Sequence, residues 1–343
     1  MEGTNFIFWN WTVAVYLFVA GISAGAFAIS ALANFIGEGK YQNVTRIGAY
    51  IAPFPLIFGL LCLIYDLERP HLFLKLLVAF QPGSVMWLGT WLLLLFSILS
   101  LIHFYIWLPE RFDLARLVQR LPPHFDRIKL LRSFKSGRFL GRLGQRNFAR
   151  KQGLVAGLGI LVSIGVGIYT GILLGALSAR PFWNSPVLPL LFLLSAVKTG
   201  TASISLTGHF FHGFRGMSPE EIKANKFMIH SIDFILMAFS AIALFLYIFG
   251  FYVSPGSYVE AVHLIMGGEF TLLFWVFVVG AGIVFPLIVE TYEFIPHFNE
   301  RVKASAHNPW LTGTATASVL LGAFMLRYVV VYAGQIARVL STT

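Results

Sequence analysis

Eight long apolar segments, separated by polar connections, constrain this 343-residue chain more than any other feature of its sequence. A helix needs about 20 predominantly apolar residues to cross the hydrocarbon core of a bilayer, and each segment is near or above that length. The pattern therefore predicts eight transmembrane helices. Their predicted bounds are Phe8–Phe35, Ile47–Tyr65, Ser84–Trp107, Gly153–Leu177, Pro186–Leu206, Phe227–Val253, Glu269–Ile288 and Trp310–Ala337.

The charge content excludes a water-soluble protein of this length. Charged residues make up 12% of the chain and hydrophobic residues 57%, whereas soluble domains carry about 25% charged residues. We expect one all-α integral membrane domain over residues 1–343. The stretch Ser254–Gly268 is too short and too mixed to span, so it is expected to be a loop with a short interfacial helix.

Lysine and arginine are distributed very unevenly between the connections. The odd-numbered connections carry 19 of them, the even-numbered ones only Arg69, Lys75 and Arg180. Because cytoplasmic loops are enriched in these residues, the odd connections are predicted to be cytoplasmic. Both termini then lie outside, in the periplasm if the cell is Gram-negative.

The third connection, residues 109–152, holds twelve of the 19 basic residues. Leucines at helical spacing, such as Leu114, Leu117 and Leu121, make it look amphipathic. We expect a basic cytoplasmic loop that lies on the anionic inner leaflet. Docking of a cytoplasmic protein is a second interpretation, and nucleic-acid binding the least favoured one.

Ionisable groups inside membrane helices are costly, so each is a functional candidate. Asp66 and Glu68 end the second helix at the outer side, either as an interfacial cap with Arg69 or as a site of proton exchange with water. Arg327 lies inside the last helix and needs a carboxylate, such as Asp66, Glu68 or Glu269, or several carbonyl partners.

Four further ionisable residues are predicted in the inner half of the membrane. Lys198 lies near the middle of the fifth helix, His230 and Asp233 are one turn apart in the sixth, and Glu290 follows the seventh. Together they could form a proton half-channel from the cytoplasm. The alternative is an isolated structural pair, which the pattern alone favours.

Histidines and the single cysteine give no cofactor signal. Haem b would need axial histidines facing each other across a bundle, and no histidine pair here marks that arrangement. Cys62 alone cannot ligate an iron–sulfur cluster. We expect no haem and no metal in this chain, so any metal clusters belong to a partner.

Tyr169 stands among small residues of the fourth helix, in Gly165-Val166-Gly167-Ile168-Tyr169-Thr170-Gly171. Such a groove lets a flat molecule approach, and the phenol can donate to a carbonyl oxygen. A groove for helix packing is the simpler interpretation. At the N-terminus, Trp9-Asn10-Trp11 indicates an aromatic belt at the membrane surface.

Four motifs, in order along the chain, resemble the NrfD-like or polysulphide-reductase membrane subunit family. They are Phe8-Trp9-Asn10-Trp11-Thr12, running on to Tyr16 and the stretch up to Ala26; Asp66-Leu67-Glu68-Arg69-Pro70, followed by Gln81-Pro82-Gly83-Ser84-Val85-Met86-Trp87-Leu88-Gly89-Thr90-Trp91; Tyr169-Thr170-Gly171 with Ala179-Arg180-Pro181-Phe182-Trp183-Asn184; and Leu326-Arg327-Tyr328 with Tyr332-Ala333-Gly334-Gln335. The resemblance covers nearly the whole chain except the basic loop.

The resemblance implies two four-helix bundles and a haem-free quinone pocket, for menaquinone or ubiquinone, near the outer face. Electrons would pass between that quinone and a four-cluster ferredoxin-like iron–sulfur subunit docked outside. That subunit would connect to a molybdopterin catalytic subunit or a multihaem cytochrome. The expected location is the bacterial cytoplasmic membrane.

The resemblance also assigns residues. The family's tyrosine on the fourth helix falls on Tyr169, and the polar pair on the first helix falls on Val13 and Tyr16, so half of the pocket must differ. Asp66, with Glu68 where glycine is common, is assigned proton exchange. The quinone site also takes in Asn10 and Arg327, and the outer docking surface takes in Arg180, Trp183 and Asn184.

The function expected from the sequence is a quinone- or quinol-binding membrane anchor subunit of a respiratory oxidoreductase complex. It would not act on the terminal substrate by itself. Two alternatives stay open: a proton-translocating module of such a complex that uses Lys198, His230, Asp233 and Glu290, and a plain transporter or structural anchor. The direction of electron flow and the terminal substrate are not fixed by the sequence.

Overall fold

The structure is a computed structural model, and it describes residues 9–37, 40–66, 75, 78, 80–108, 148–177, 180–210, 218–253, 259–298 and 309–337. Helices account for all the regular secondary structure of these ranges. They are α1 (Trp11–Ile36), α2 (Gln42–Ile51), α3 (Pro53–Asp66), α4 (Val85–Trp107), α5 (Phe148–Gly175), α6 (Leu188–Phe210), α7 (Pro219–Val253), α8 (Val259–Met266), α9 (Leu273–Val284), α10 (Phe285–Phe298) and α11 (Pro309–Ile336). Glu68 and most of the predicted basic loop, residues 109–147, lie outside the described residues.

Within the described residues, eight helical segments are long and apolar enough to cross a membrane, which confirms the predicted number of spans and the all-α membrane fold. The second span begins at Gln42, five residues before the predicted start, and consists of α2 and α3 in succession. The predicted start was too late because Gln42, Asn43, Thr45 and Arg46 lower the hydropathy there. Helix α2 nevertheless buries one face, which includes Val44 and Thr45.

The seventh span, Leu273–Tyr292, contains a structural feature that hydropathy cannot predict. Helix α9 is π-helical over twelve residues and continues directly into the α-helix α10. Long π-helical stretches are rare, and short ones occur often at functional sites. The predicted short helix between the sixth and seventh spans is confirmed as α8.

Helix α1 lies at the centre of the domain and packs against α2, α3, α5, α6 and α11. Its contact with α6 is a close approach of two backbones. A Cβ atom at Gly25 would overlap the carbonyl of Ala196, and one at Gly200 would overlap the backbone of Gly25. Small residues allow such contacts between membrane helices. The division into two four-helix bundles stays a prediction.

The two ends of the described chain meet at one end of the helical domain, which we call the terminal end. Gln335, near the end of α11, accepts a hydrogen bond from the backbone N–H of Trp9 at 2.8 Å. Its side-chain amide donates to the carbonyl of Trp9 at 3.1 Å. At the opposite end, Asn225 of α7 donates to the carbonyl of Lys40. That the terminal end faces outward stays a prediction.

Candidate functional site

Asp66 is the last residue of α3, and its carboxylate contacts α1 at the terminal end. Thr12 Oγ1 donates a hydrogen bond to Asp66 Oδ1 at 2.6 Å. Thr12 is buried, and Asp66 is half-buried. The predicted acid therefore lies beside the first turn of α1, at the boundary between the helical interior and the surface. Thr12, which donates this hydrogen bond, belongs to the first motif of the family resemblance, but the sequence analysis assigned it no role.

Tyr16 follows Thr12 by four residues, so both side chains project from the same side of α1. Its ring packs against α3 at Gly59, where a Cβ atom would lie 3.4 Å from Tyr16 Cδ2. Tyr169 comes from α5, and its ring lies directly on the backbone of Gly89 in α4. Four helices thus surround a small region that contains both phenols.

The two phenols have hydrogen-bonding capacity that the protein does not use. Tyr16 is 3% and Tyr169 8% exposed, and the two are close enough to interact electrostatically. Within the described ranges, neither hydroxyl makes a hydrogen bond with another residue. The pair therefore fits a ligand that offers carbonyl oxygens, as a quinone does.

Gly89 is a residue of this region that sequence reasoning did not single out. A Cβ atom there would overlap Cζ, Cε2 and the hydroxyl oxygen of Tyr169. The absence of a side chain at Gly89 thus sets the depth at which the phenol lies. Gly89 lies in the second motif of the family resemblance, but that motif gave it no individual role, and a glycine in a membrane helix is typical of ordinary helix packing.

Replacing Gly89 by alanine should displace the Tyr169 ring. We expect the Gly89→Ala variant to be destabilised by about 1–3 kcal/mol, the usual cost of overpacking. Thermal unfolding in detergent and quinone affinity measure the two effects. The matched control is Gly153→Ala in α5, where an added Cβ meets nothing within 4 Å. Equal behaviour of the two variants would show that Gly89 does not position the phenol.

Two other predicted residues of the first helix lie at different depths. Val13 is buried in the apolar core and offers no polar atom from its side chain. Asn10 precedes α1 and is exposed, and its carbonyl accepts a hydrogen bond from the N–H of Val13 at 3.1 Å. Asn10 therefore lies at the terminal surface, above the buried tyrosines along α1.

Arg327 is 1% exposed and ties three helices together. Its guanidinium donates to the carbonyl of Leu17 in α1 at 2.9 Å, to Ser195 Oγ in α6 at 2.8 Å and to the carbonyl of Ala323 at 3.0 Å. The sequence predicted either a carboxylate or several carbonyl groups as the partners of Arg327, and the structure shows uncharged oxygens. Asp66 bonds to Thr12 instead, and Glu269 is exposed.

The segment that joins α5 to α6 closes the terminal end. Arg180 donates to the carbonyl of Gln335, and Trp183 Nε1 donates to the carbonyl of Val330 at 2.7 Å. The Trp183 indole is buried and stacks on Trp9 at a centroid distance of 5.2 Å. Asn184 is exposed. Of the three predicted docking residues, Asn184 thus presents its side chain at the surface. Trp183 instead packs its buried ring between the segment and the rest of the domain.

The four residues of the predicted inner path lie among α6, α7 and α10, and all are mostly buried. His230 Nδ1 and Glu290 Oε2 are 2.8 Å apart, and His230 is also near enough to Asp233 to attract it. Asp233 accepts a hydrogen bond from Thr201 Oγ1. Lys198 is near enough to Asp233 to attract it, but no ion pair joins these two described residues.

Within the described ranges, no three His, Cys, Asp or Glu side chains are grouped so that they could hold a metal ion. His103 is fully buried, and its Nε2 lies 2.8 Å from Ser30 Oγ. Ser30 donates its hydroxyl hydrogen to the carbonyl of Thr45 at 2.6 Å, so Nε2 of His103 is the donor in their contact. His103 thus links α4 to α1 through Nε2, while its Nδ1 is buried and has no hydrogen-bond partner among the described residues.

Comparison with known proteins gives a match over nearly the whole sequence. The family described as "Polysulphide reductase, NrfD" matches residues 1–339. The chain belongs to this family. It is 31% identical to the C chain of polysulfide reductase from Wolinella succinogenes, over 98% of this sequence and 96% of that protein. The sequence resemblance to the NrfD family is thereby confirmed.

Two further relatives are similar to nearly the whole of this NrfD-family sequence. The protein NrfD of Escherichia coli is 29% identical over 96% of this sequence and 95% of the relative. The C subunit of selenate reductase from Mesobacillus selenatarsenatis is 25% identical over 97% of this sequence and 75% of the relative. Membership of this family and eight membrane spans support a membrane subunit of an oxidoreductase complex.

Proposed function

We propose that this NrfD-family protein binds quinone or quinol at the terminal end and exchanges electrons between the quinone pool and an iron–sulfur subunit. The observation that carries the proposal is the pair of buried phenols, Tyr16 and Tyr169, whose hydroxyls have no partner in the described ranges. Asp66, at the end of α3, is bonded to Thr12, which lies one turn before Tyr16 on α1.

A quinone supplies two-electron chemistry that takes up or releases two protons. The residues of the chain have separate roles in our proposal. Tyr169 and Tyr16 bind and orient the two-carbonyl ring by donating hydrogen bonds. Asp66 exchanges protons with water at the terminal surface, since it is half-buried and held by Thr12 at 2.6 Å. Glu68, outside the described residues, is proposed to assist it.

The remaining predicted residues have supporting roles. Asn10 lies above the tyrosines, and Arg327 holds α1 at Leu17, next to Tyr16. The terminal surface around Arg180, Trp183 and Asn184 is proposed to dock a four-cluster ferredoxin-like subunit. That subunit would pass electrons to or from a molybdopterin subunit or a multihaem cytochrome. The proposed location is the bacterial inner membrane, with the terminal end facing the periplasm.

A second candidate function is proton translocation through the inner half of the domain. It is favoured by one observation: Lys198, Asp233 and the His230–Glu290 pair are all buried among α6, α7 and α10, with 2.8 Å between His230 and Glu290. Four ionisable groups at this depth are more than packing requires. The two candidates are compatible within one complex.

Proteoliposomes that contain the purified complex test both functions. Quinone should remain after mild extraction, and either added quinol should reduce the iron–sulfur subunit or the reduced iron–sulfur subunit should reduce added quinone. A complex that binds no quinone and turns over none would overturn the first proposal. A potential-sensitive dye separates the second, because turnover without charge movement would exclude translocation while leaving quinone exchange intact.

A further inference from the structure

A small cavity lies inside the membrane domain where α6, α7, α9 and α11 meet, away from the two tyrosines. Its volume is about 20 Å³, which is room for about one water molecule. Leucine, valine and isoleucine side chains form most of its wall, and Gly282 and Gly322 leave room in it. Three polar side chains also line it: Ser195 and Lys198 from α6, and Ser240 from α7.

All three polar groups have unused hydrogen-bonding capacity. Ser240 Oγ is buried and has no partner within the described part of the chain. Ser195 Oγ accepts from Arg327 at 2.8 Å, and its own hydroxyl donates to no described residue. Lys198 Nζ lies 3.5 Å from the carbonyl of Gly282 and 3.9 Å from Met237 Sδ. The contact with oxygen is longer than the usual 2.7–3.2 Å.

We propose that this cavity binds water, held by Lys198, Ser195 and Ser240. Buried waters typically make about three hydrogen bonds to groups that otherwise lack partners, and they require a site that is both polar and roomy. This site satisfies both conditions. An ammonium group in the membrane interior also needs hydrogen-bond acceptors, which the lysine lacks at close range.

Water fits the cavity better than a small anion does. The carbonyl of Gly282 is only an acceptor, so it suits a hydrogen of water but would repel an anion. Asp233 is near enough to Lys198 to provide negative charge already. The bound water completes a hydrogen-bonded connection from Arg327 through Ser195 to Lys198. This inference does not depend on quinone binding.

Two nearly isosteric variants of the purified complex test the proposal. Ser240→Thr keeps the hydroxyl, whereas Ser240→Val replaces it with a methyl group of the same shape. Since the methyl group cannot bond to water, we expect the thermal midpoint of the valine variant to be about 3 °C below that of the threonine variant. In a dry cavity, valine would remove an unpartnered hydroxyl and give an equal or higher midpoint, which would overturn the proposal.

A Lys198→Met background shows whether the water serves the ammonium group. There the difference between threonine and valine at position 240 should disappear, and its persistence would contradict the assigned role. A high-resolution map of the unaltered complex should show density within hydrogen-bonding distance of Lys198 Nζ and Ser240 Oγ. An empty cavity, or an anomalous peak after exchange into bromide, would refute water as the ligand.

Discussion

The Tyr169→Phe variant of the assembled complex should lose about 100-fold or more of its quinol turnover. Removal of a single donor that stabilises charge on a reacting oxygen costs roughly 10²–10³ in rate. The phenol is 8% exposed and makes no hydrogen bond with a described residue, so no internal bond is lost with it. Steady-state turnover with a soluble quinol analogue measures the effect.

The stability of that variant distinguishes a quinone ligand from a packing residue. Because the hydroxyl is unpartnered, phenylalanine should leave the thermal midpoint unchanged or raise it. Tyr332→Phe in α11 is a matched control, since that half-buried tyrosine stacks on Tyr328 with 4.4 Å between the ring centroids and has no role in the proposed quinone site. Full turnover in Tyr169→Phe would remove the central assignment of the site.

The helices of this chain were predictable because a bilayer imposes a length that hydropathy records. All eight spans were found, and errors arose where that signal fails. Helix α2 begins with polar residues that hydropathy excludes, although Val44 and Thr45 are buried. The π-helix α9 depends on a shift of backbone hydrogen bonds that side-chain hydropathy does not encode.

The partners of the polar residues were much less predictable than the residues themselves. The sequence singled out Asp66, Tyr16, Tyr169 and Arg327, either because an ionisable group is costly inside a membrane or because of the family resemblance. Which residue each one contacts depends on the rotation of a helix about its axis, and helices that are apolar all round carry little information on it. The bond of Asp66 to Thr12 and the neutral partners of Arg327 could therefore be learned only from the structure.

The unknown rotation of each helix also explains why the contacts of His230 and of Gly89 were not predicted. The sequence grouped His230 and Asp233 with Lys198 and Glu290, but it gave no sign that the 2.8 Å contact of His230 would be with Glu290, sixty residues further on. Nothing local to Gly89 indicates that a ring from α5 lies on it. Contacts between distant helices decided both cases.

The Asp66→Asn variant should lose about 10²–10⁴-fold in turnover, the usual contribution of a positioned acid or base. Asparagine keeps the shape of the side chain, and its carbonyl oxygen can still accept the hydrogen bond from Thr12. It cannot carry a proton between the quinone and water. We therefore expect kcat to fall while quinone affinity, measured by titration of the purified complex, changes little.

Two controls separate proton exchange from a capping role of Asp66. Thr12→Val removes the 2.6 Å hydrogen bond but keeps the carboxylate, so it should reduce turnover far less than Asp66→Asn does. Glu269→Gln neutralises an exposed acid that precedes α9 and should have no effect. If Asp66→Asn lowers the thermal midpoint but leaves turnover intact, Asp66 is a structural cap and protons reach the quinone site by another group.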